Sequence, residues 1–200
     1  MSRFKVSQSE ITIGLQVGET IVIPHLQFEV IDSTNDECKR LYQENNDLVA
    51  VVTSDIQLNG RGRGRNVWYS GSPGGLYYSM VVSSPLLSVN RLYRLSYDVG
   101  AAAASVISNL TSVHVILSPP NDLMIEGKKV GGILIESSIK RSVNYVIVGI
   151  GLNLNQSEFP ADIHRLAVSL HQTTGKTIKK HPLIVAITES LYTMLLGTTH

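Results

Sequence analysis

The stretch Gly60-Arg61-Gly62-Arg63-Gly64-Arg65-Asn66-Val67-Trp68 alternates three glycines with three arginines and ends on an indole. Glycine lets the backbone take positive φ and come close to a ligand. Arginine offers a planar fork of donors that matches carboxylate and phosphate oxygens. Together they predict a loop that wraps an anion with backbone N–H groups and side chains. Trp68 adds a flat apolar face for a base or ring. The tract is one short insert between two strand-like runs, Leu48–Thr53 and Leu76–Val82. A disordered arginine–glycine segment repeats for much longer.

Three other polar constellations interrupt apolar runs. Asp32-Ser33-Thr34-Asn35 reads as a helix start, with Asp36 and Glu37 behind it suited to the positive end of the helix dipole. Hydroxyls and N–H groups at such a start also bind small polar head groups. Gln57, just ahead of the arginine loop, carries both a donor and an acceptor, as an amide or urea-like ligand requires. Pro120-Asn121-Asp122 and Lys129 flank a turn at Gly127. There Asp122 could orient an incoming amine, and Lys129 could place a compact charge on developing negative charge. Lys128, its neighbour, is expected to face solvent. Gly149-Ile150-Gly151-Leu152-Asn153-Leu154-Asn155 suggests close backbone approach on a strand, with Asn153 facing a nucleotide. Taken singly, each has a plain structural alternative: a cap, a solvated loop, a surface turn, a bulge.

The elements that must hold these residues alternate between strand and helix periods. Strands are predicted at Leu26–Ile31, Leu48–Ser54, Leu76–Ser83, Val113–Leu117 and Tyr145–Asn153, with a hairpin of Asn121–Glu126 and Val130–Ser138. A peripheral hairpin of Ile11–Leu15 and Glu19–Ile23 turns at Gly18. Helices are predicted from Asp32 to about Asn45, over Leu92–Asn109, and from about Pro182 to Leu196. Short helical pieces are expected near Ala161 and over Arg165–Thr173. Ile56–Gly75 is a long glycine-rich loop, which inside a compact domain points to function. Strands in the middle and helices outside them give an α+β class, a mixed β-sheet flanked by helices.

Composition sets the frame. The 200 residues are 43% apolar and 16% charged, with a net charge of +1. That suits one domain with a sizeable core and excludes a general polyanion binder, so no nucleic-acid partner is expected. The single cysteine, Cys38, excludes an intramolecular disulfide and a cysteine-rich zinc site. No apolar run reaches membrane-spanning length and the N-terminus lacks a secretory pattern. A cytoplasmic location without a membrane partner is expected.

These segments, in this order from about Phe28 to Asn155, resemble the catalytic domain of biotin–protein ligases. The segments are Asp32–Asn35, Gln57–Trp68, Pro120–Asp122, Gly127-Lys128-Lys129-Val130-Gly131-Gly132-Ile133-Leu134 and Gly149–Asn153. The resemblance implies a fold like the class II aminoacyl-tRNA synthetases. It also implies ATP-dependent ligation of biotin to a lysine of a biotin-carrier domain of a carboxylase, through biotinyl-5′-AMP. Ser33, Thr34, Asn35, Gln57, Gly60, Arg61 and Gly132 would then hold biotin. Arg61, Arg63, Trp68, Asn121, Lys129 and Asn153 would hold ATP and the adenylate. Lys129, Arg63 and Asp122 would carry the chemistry, with Mg²⁺ accompanying ATP and no protein metal site. The family's Lys-Trp ahead of Pro-Asn-Asp is Ser118-Pro119 here. Alternatives are a lipoate or octanoate ligase or transferase of the same superfamily, and a biotin-binding homologue without catalysis. The resemblance implies one catalytic domain over residues 1–200, its core about 26–196. Neither the N-terminal DNA-binding domain nor the small C-terminal β-domain is expected.

Overall fold

A computed structural model describes residues 5–14, 18, 20–83, 87–139 and 142–197. Its strands are β1 (Val6–Gly14), β2 (Thr20–Ile31), β3 (Val49–Gln57), β4 (Leu76–Ser83), β5 (Ile116–Ser118), β6 (Asp122–Ile125), β7 (Lys128–Ile139) and β8 (Val143–Leu152). Its helices are α1 (Thr34–Glu44), α2 (Val89–Thr111), α3 (Leu170–Thr174) and α4 (Lys180–Leu196). The strands form one sheet in the order β1-β2-β3-β4-β8-β7-β6-β5. Only β2 and β3 run parallel among the named pairs, and α1 makes the crossover that a parallel pair needs. The α+β class is as expected.

Alternation along the strands divides the apolar residues between two layers. Ile11, Ile23, Val51, Tyr78, Met80 and Val148 belong to the large core beneath α2 and α4. Phe28, Ala50, Val52, Val81 and Ile147 pack with Cys38 of α1 on the opposite face. Cys38 is fully buried, and burial pushes its thiol well above the usual range. It is a packing residue.

The N-terminal hairpin is not peripheral. Gly14 pairs with Thr20, and Ile11, Ile13 and Ile23 are buried in the main core; residues 15–17 and 19, at its turn, lie outside the described residues. The expected strands at Glu19–Ile23 and Leu26–Ile31 are one strand running through Pro24. Pairing with β3 begins only at His25, so the missing N–H of Pro24 leaves that ladder intact. The predicted Val113–Leu117 strand shrinks to β5, although Val113 and Val115 remain buried. The predicted helical stretch 165–173 is a turn, a bridge at Ala167 and the short α3.

The β6–β7 hairpin turns at Glu126 and Gly127, both at positive φ, 47° and 78°. That is the two-residue turn whose twist matches antiparallel strands. Ile125 then faces Lys128 and Met124 faces Lys129, but Leu123 faces Gly131. The register shift leaves Val130 as an extra residue. Strict alternation would put positions 129 and 132 on opposite faces. The bulge shifts the phase by one, so Lys129 and Gly132 line the same cavity.

Candidate active site

The site lies where the sheet face shared with α1 is not covered by that helix. Its floor follows from register. Tyr77, Gly151 and Gly132 stand in one cross-strand row, and Ser79, Gly149 and Leu134 in the next. The missing side chains make the space. A Cβ on Gly151 would sit 2.7 Å from Trp68 Cε2, and one on Gly149 would overlap Asn35 Oδ1. The result is a cavity of about 280 Å³ bounded by the start of α1, the end of β3, the arginine loop and the β6–β7 hairpin.

One end of the cavity is a hydrogen-bonded polar wall. Gln57 Oε1 accepts from the backbone N–H of Thr34 at 2.9 Å and from its hydroxyl at 3.1 Å. This ties down one side of the amide and leaves Nε2 without a partner among the described residues. The Ser33 hydroxyl is likewise unpaired there. The Ser79 hydroxyl donates to Asn35 Oδ1 at 2.6 Å and lies 2.7 Å from Thr34 Oγ1. Asn35 Nδ2 in turn donates to Glu136 Oε2 at 2.6 Å. Ser33, Thr34, Asn35 and Gln57 are all buried, so buried partners fix the wall's geometry.

The other end is cationic. Lys129 Nζ lies 2.6 Å from Asp122 Oδ1 and 5.4 Å from the centre of the Trp68 ring. Its main chain is fastened as well. Lys129 N–H donates to Leu166 O, and Lys129 O accepts from Val168 N–H. Asn153 Nδ2 donates to Lys129 O at 3.2 Å and to Val168 O at 3.1 Å. Asn153 therefore braces the Lys129 backbone, and it lines the groove that adjoins this cavity rather than the cavity itself. Asn121 Nδ2 donates to Ile133 O and keeps Asn121 at the rim. Lys128 is exposed, as expected.

The arginine loop is itself a small hairpin. Gly62 N–H donates to Asn66 O at 2.8 Å, Trp68 N–H donates to Gly60 O at 3.0 Å, and Arg61 bridges Val67. Gly64, at φ +69°, forms its tip. Gly60 does not line the cavity; its bare Cα permits close packing on Trp68 O and Ser70 Oγ. Arg61 makes a two-pronged pair with Asp36. The Arg63 side chain, by contrast, forms no ion pair or hydrogen bond among the described residues. Trp68 lies over the glycine floor with its Nε1 buried and unpartnered.

A second groove of about 230 Å³ adjoins the cavity and shares Val67, Trp68 and Lys129 with it. Tyr69, Phe159, Ile163 and Leu166 make it mainly apolar. Sequence reasoning missed this groove and three polar residues: Asp36, Ser79 and Glu136. Ser79 and Glu136 carried a signal, since each interrupts an apolar strand on the same face as Gly149 or Gly132. Asp36 carried none, because its partner Arg61 is distant in sequence.

Comparison with known proteins gives a consistent result. Residues 27–153 match the profile described as the biotin/lipoate A/B protein ligase family. The chain is 33% identical over 184 residues to the bifunctional ligase/repressor BirA of Bacillus spizizenii, covering 90% of this chain and 56% of the relative. It is 35% identical over 136 residues to biotin–protein ligase 2 of Arabidopsis thaliana, covering 64% of this chain and 40% of the relative. The chain thus spans about half the length of the curated relatives it matches. Among solved structures, the biotin protein ligase of Aquifex aeolicus in complex with biotin and ATP superposes with a TM-score of 0.68 at 30% identity, covering 86% of this chain and 71% of that one. That of Leishmania major in complex with biotinyl-5′-AMP superposes with a TM-score of 0.70 at 26% identity, covering 82% and 72%.

Proposed function

The chain belongs to the biotin/lipoate A/B protein ligase family, and from that premise we propose that it joins biotin to a carrier-protein lysine at the expense of ATP. In the first step the biotin carboxylate attacks the α-phosphorus of ATP, forming biotinyl-5′-AMP and releasing pyrophosphate. In the second, a lysine amine of a biotin-carrier domain of a carboxylase attacks the acyl carbon and AMP leaves.

The observation that carries this reading is the polarity of the cavity. A hydrogen-bonded polar wall with the Gln57 amide N–H and Ser33 hydroxyl open stands at one end, Lys129 stands at the other, and Arg63 also lines the cavity. A ureido ring needs both donors and acceptors, which Gln57, Ser33, Thr34 and Asn35 supply. An acyl chain without a polar head would leave the open Gln57 amide N–H and Ser33 hydroxyl unpaired, at a cost of about 1–3 kcal/mol each. The carboxylate of biotin then lies toward Lys129 and Arg63.

Two anions must meet for adenylation, so preorganised cations do most of the work. Lys129 places its charge on the phosphoryl and carboxyl oxygens as they react, and Arg63 supplies a second fork. The Trp68 face and the adjoining apolar groove take the adenine ring. Asn121 contributes polar contacts at the rim, and Asn153 holds the Lys129 backbone while lining the groove proposed for the adenine ring. Asp122, already beside Lys129 Nζ, is placed to orient the acceptor amine and receive its proton. No cluster of metal-ligating residues stands among the described residues. Mg²⁺ would accompany ATP as its counter-ion and would supply charge stabilisation of the triphosphate.

Among the described residues no helix is long and apolar enough to cross a membrane. Its proposed need for ATP and carrier domains supports work in the cytoplasm. Pyrophosphate release with ATP and biotin tests the reading, with lipoate and octanoate as controls. Release that needs biotin is expected. Release with lipoate or octanoate in preference, or none with any acid, overturns the assignment.

A further inference from the structure

The arginine hairpin is fastened to α1 through one side chain. Arg61 Nη1 donates to Asp36 Oδ2 at 2.6 Å, and Arg61 Nη2 donates to Asp36 Oδ1 at 2.7 Å. Two parallel bonds between planar groups fix orientation as well as distance. Glu136 Oε2 lies 3.8 Å from the same guanidinium. Lys39 links the two acids, reaching Asp36 at 3.5 Å and Glu136 at 2.7 Å. The Arg61 guanidinium holds the Asp36 carboxyl below the usual carboxylate range, so the pair is ionised at neutral pH.

Position within the hairpin gives this contact its meaning. Arg61 sits at the base, where it bridges Val67, whereas Arg63 adjoins the tip at Gly64. Both donors of the Arg61 fork that point to Asp36 are already satisfied. Moving Arg61 to a substrate anion would break both of its bonds to Asp36, leaving that carboxylate only Lys39 at 3.5 Å, and release the hairpin base. Arg63 has no such partner and needs no exchange before it binds.

We propose that Asp36 is a positioning residue that clamps Arg61 and so sets the base of the arginine hairpin, leaving Arg63 to meet the anion formed in the cavity. The proposal rests on the adenylation chemistry proposed above. Asp36 touches neither substrate nor reacting atom in this account; it acts through Arg61.

The test combines Asp36→Asn, Asp36→Glu, Arg61→Gln, Arg63→Gln and the Asp36→Asn/Arg61→Gln double variant. The first measurement, amide exchange over residues 60–68 in the ligand-free protein, needs no activity. Loss of the clamp should speed exchange by about tenfold in either single clamp variant. The double variant should be no faster than the singles, and Asp36→Glu should keep most of the protection. The second measurement is steady-state kinetics. Asp36→Asn and Arg61→Gln should raise the KM for biotin by about tenfold with kcat within about twofold, whereas Arg63→Gln should lower kcat. Wild-type exchange in Asp36→Asn, or additive effects in the double variant, overturns the clamp. An Arg61→Gln loss of kcat equal to that of Arg63→Gln overturns the division of labour. If the wild type releases no pyrophosphate, the proposed function fails while the exchange data still decide the clamp.

Discussion

Strands β4 and β8 present two different faces, and the contrast explains how one sheet both holds the fold and opens a site. Toward α2 and α4 they offer Tyr78, Met80, Val82, Val146, Val148, Ile150 and Leu152, all buried and apolar in contact. The one hydroxyl there, of Tyr78, is paired with Thr188 Oγ1 at 3.0 Å. Toward the site the same strands offer Tyr77, Ser79, Gly149 and Gly151. Side chains have been removed there, and polar groups stand where packing would otherwise be. The His25 cluster near the N-terminus of α4 makes the same point from the structural side. It is also polar and buried, but Ser9 and Thr53 meet both ring nitrogens, at 3.1 and 2.8 Å. A polar group buried for stability is closed by partners on all sides. A polar group kept for a ligand, such as Gln57, is held on one side and open on the other.

The contrast can be broken at neighbouring residues. Gly151→Val should abolish adenylate formation, with a loss beyond ~10²-fold, because its side chain displaces Trp68 from the floor. Its unfolding midpoint should move little. Ile150→Ala, one residue away on the other face, should do the reverse. It should cost about 2–5 kcal/mol of stability and leave the folded fraction active. Denaturant unfolding beside pyrophosphate-release kinetics reads both, and matching effects at the two positions would erase the distinction.

Lys129→Ala keeps the floor and removes the charge. Pyrophosphate release should fall by about 10²–10³-fold, and transfer from preformed biotinyl-5′-AMP should fall much less. Equal slowing of the two half-reactions would make Lys129 a general binding residue. Gln57→Ala removes the open amide, so biotin affinity measured by calorimetry should weaken by about 1–3 kcal/mol, with ATP affinity little changed.

The smallest effect belongs to the closed cluster. Burial, and next the nearby His181, lower the pKa of His25. The unfolded chain therefore takes up a proton near the ordinary imidazole value of about 6.5, where folded His25 does not. The stability contribution is complete above that value and is lost as pH falls toward the folded pKa. His25→Gln should flatten the decline in unfolding free energy over that window without changing biotin affinity at neutral pH. A wild-type profile as flat as the variant's would remove His25 from the account.

Much of this is legible in the sequence. Period-two alternation and capping residues located α1, β3, β4, the β6–β7 hairpin and β8, because those signals act locally. The polar constellations were legible because each interrupts an apolar pattern. What stayed hidden depends on distant partners. The N-terminal hairpin looked peripheral because its weak alternation does not reveal that Ile11 and Ile13 close the core. The bulge at Val130 is a property of pairing, invisible in either strand alone. Asp36 reads as an ordinary first-turn acid until Arg61 is placed beside it. Asn153 looks the same from sequence whether it faces a ligand or holds the backbone of Lys129.

The central claim is that the open polar face receives biotin. The most direct measurement is a biotin titration followed by amide chemical shifts of the whole chain. The account predicts perturbations concentrated at Ser33, Gln57, Ser79, Gly132, Gly149 and Gly151, with Ser9, His25 and Thr53 unmoved. Shifts confined to the His25 cluster, or no saturable shift on the glycine floor, would contradict it.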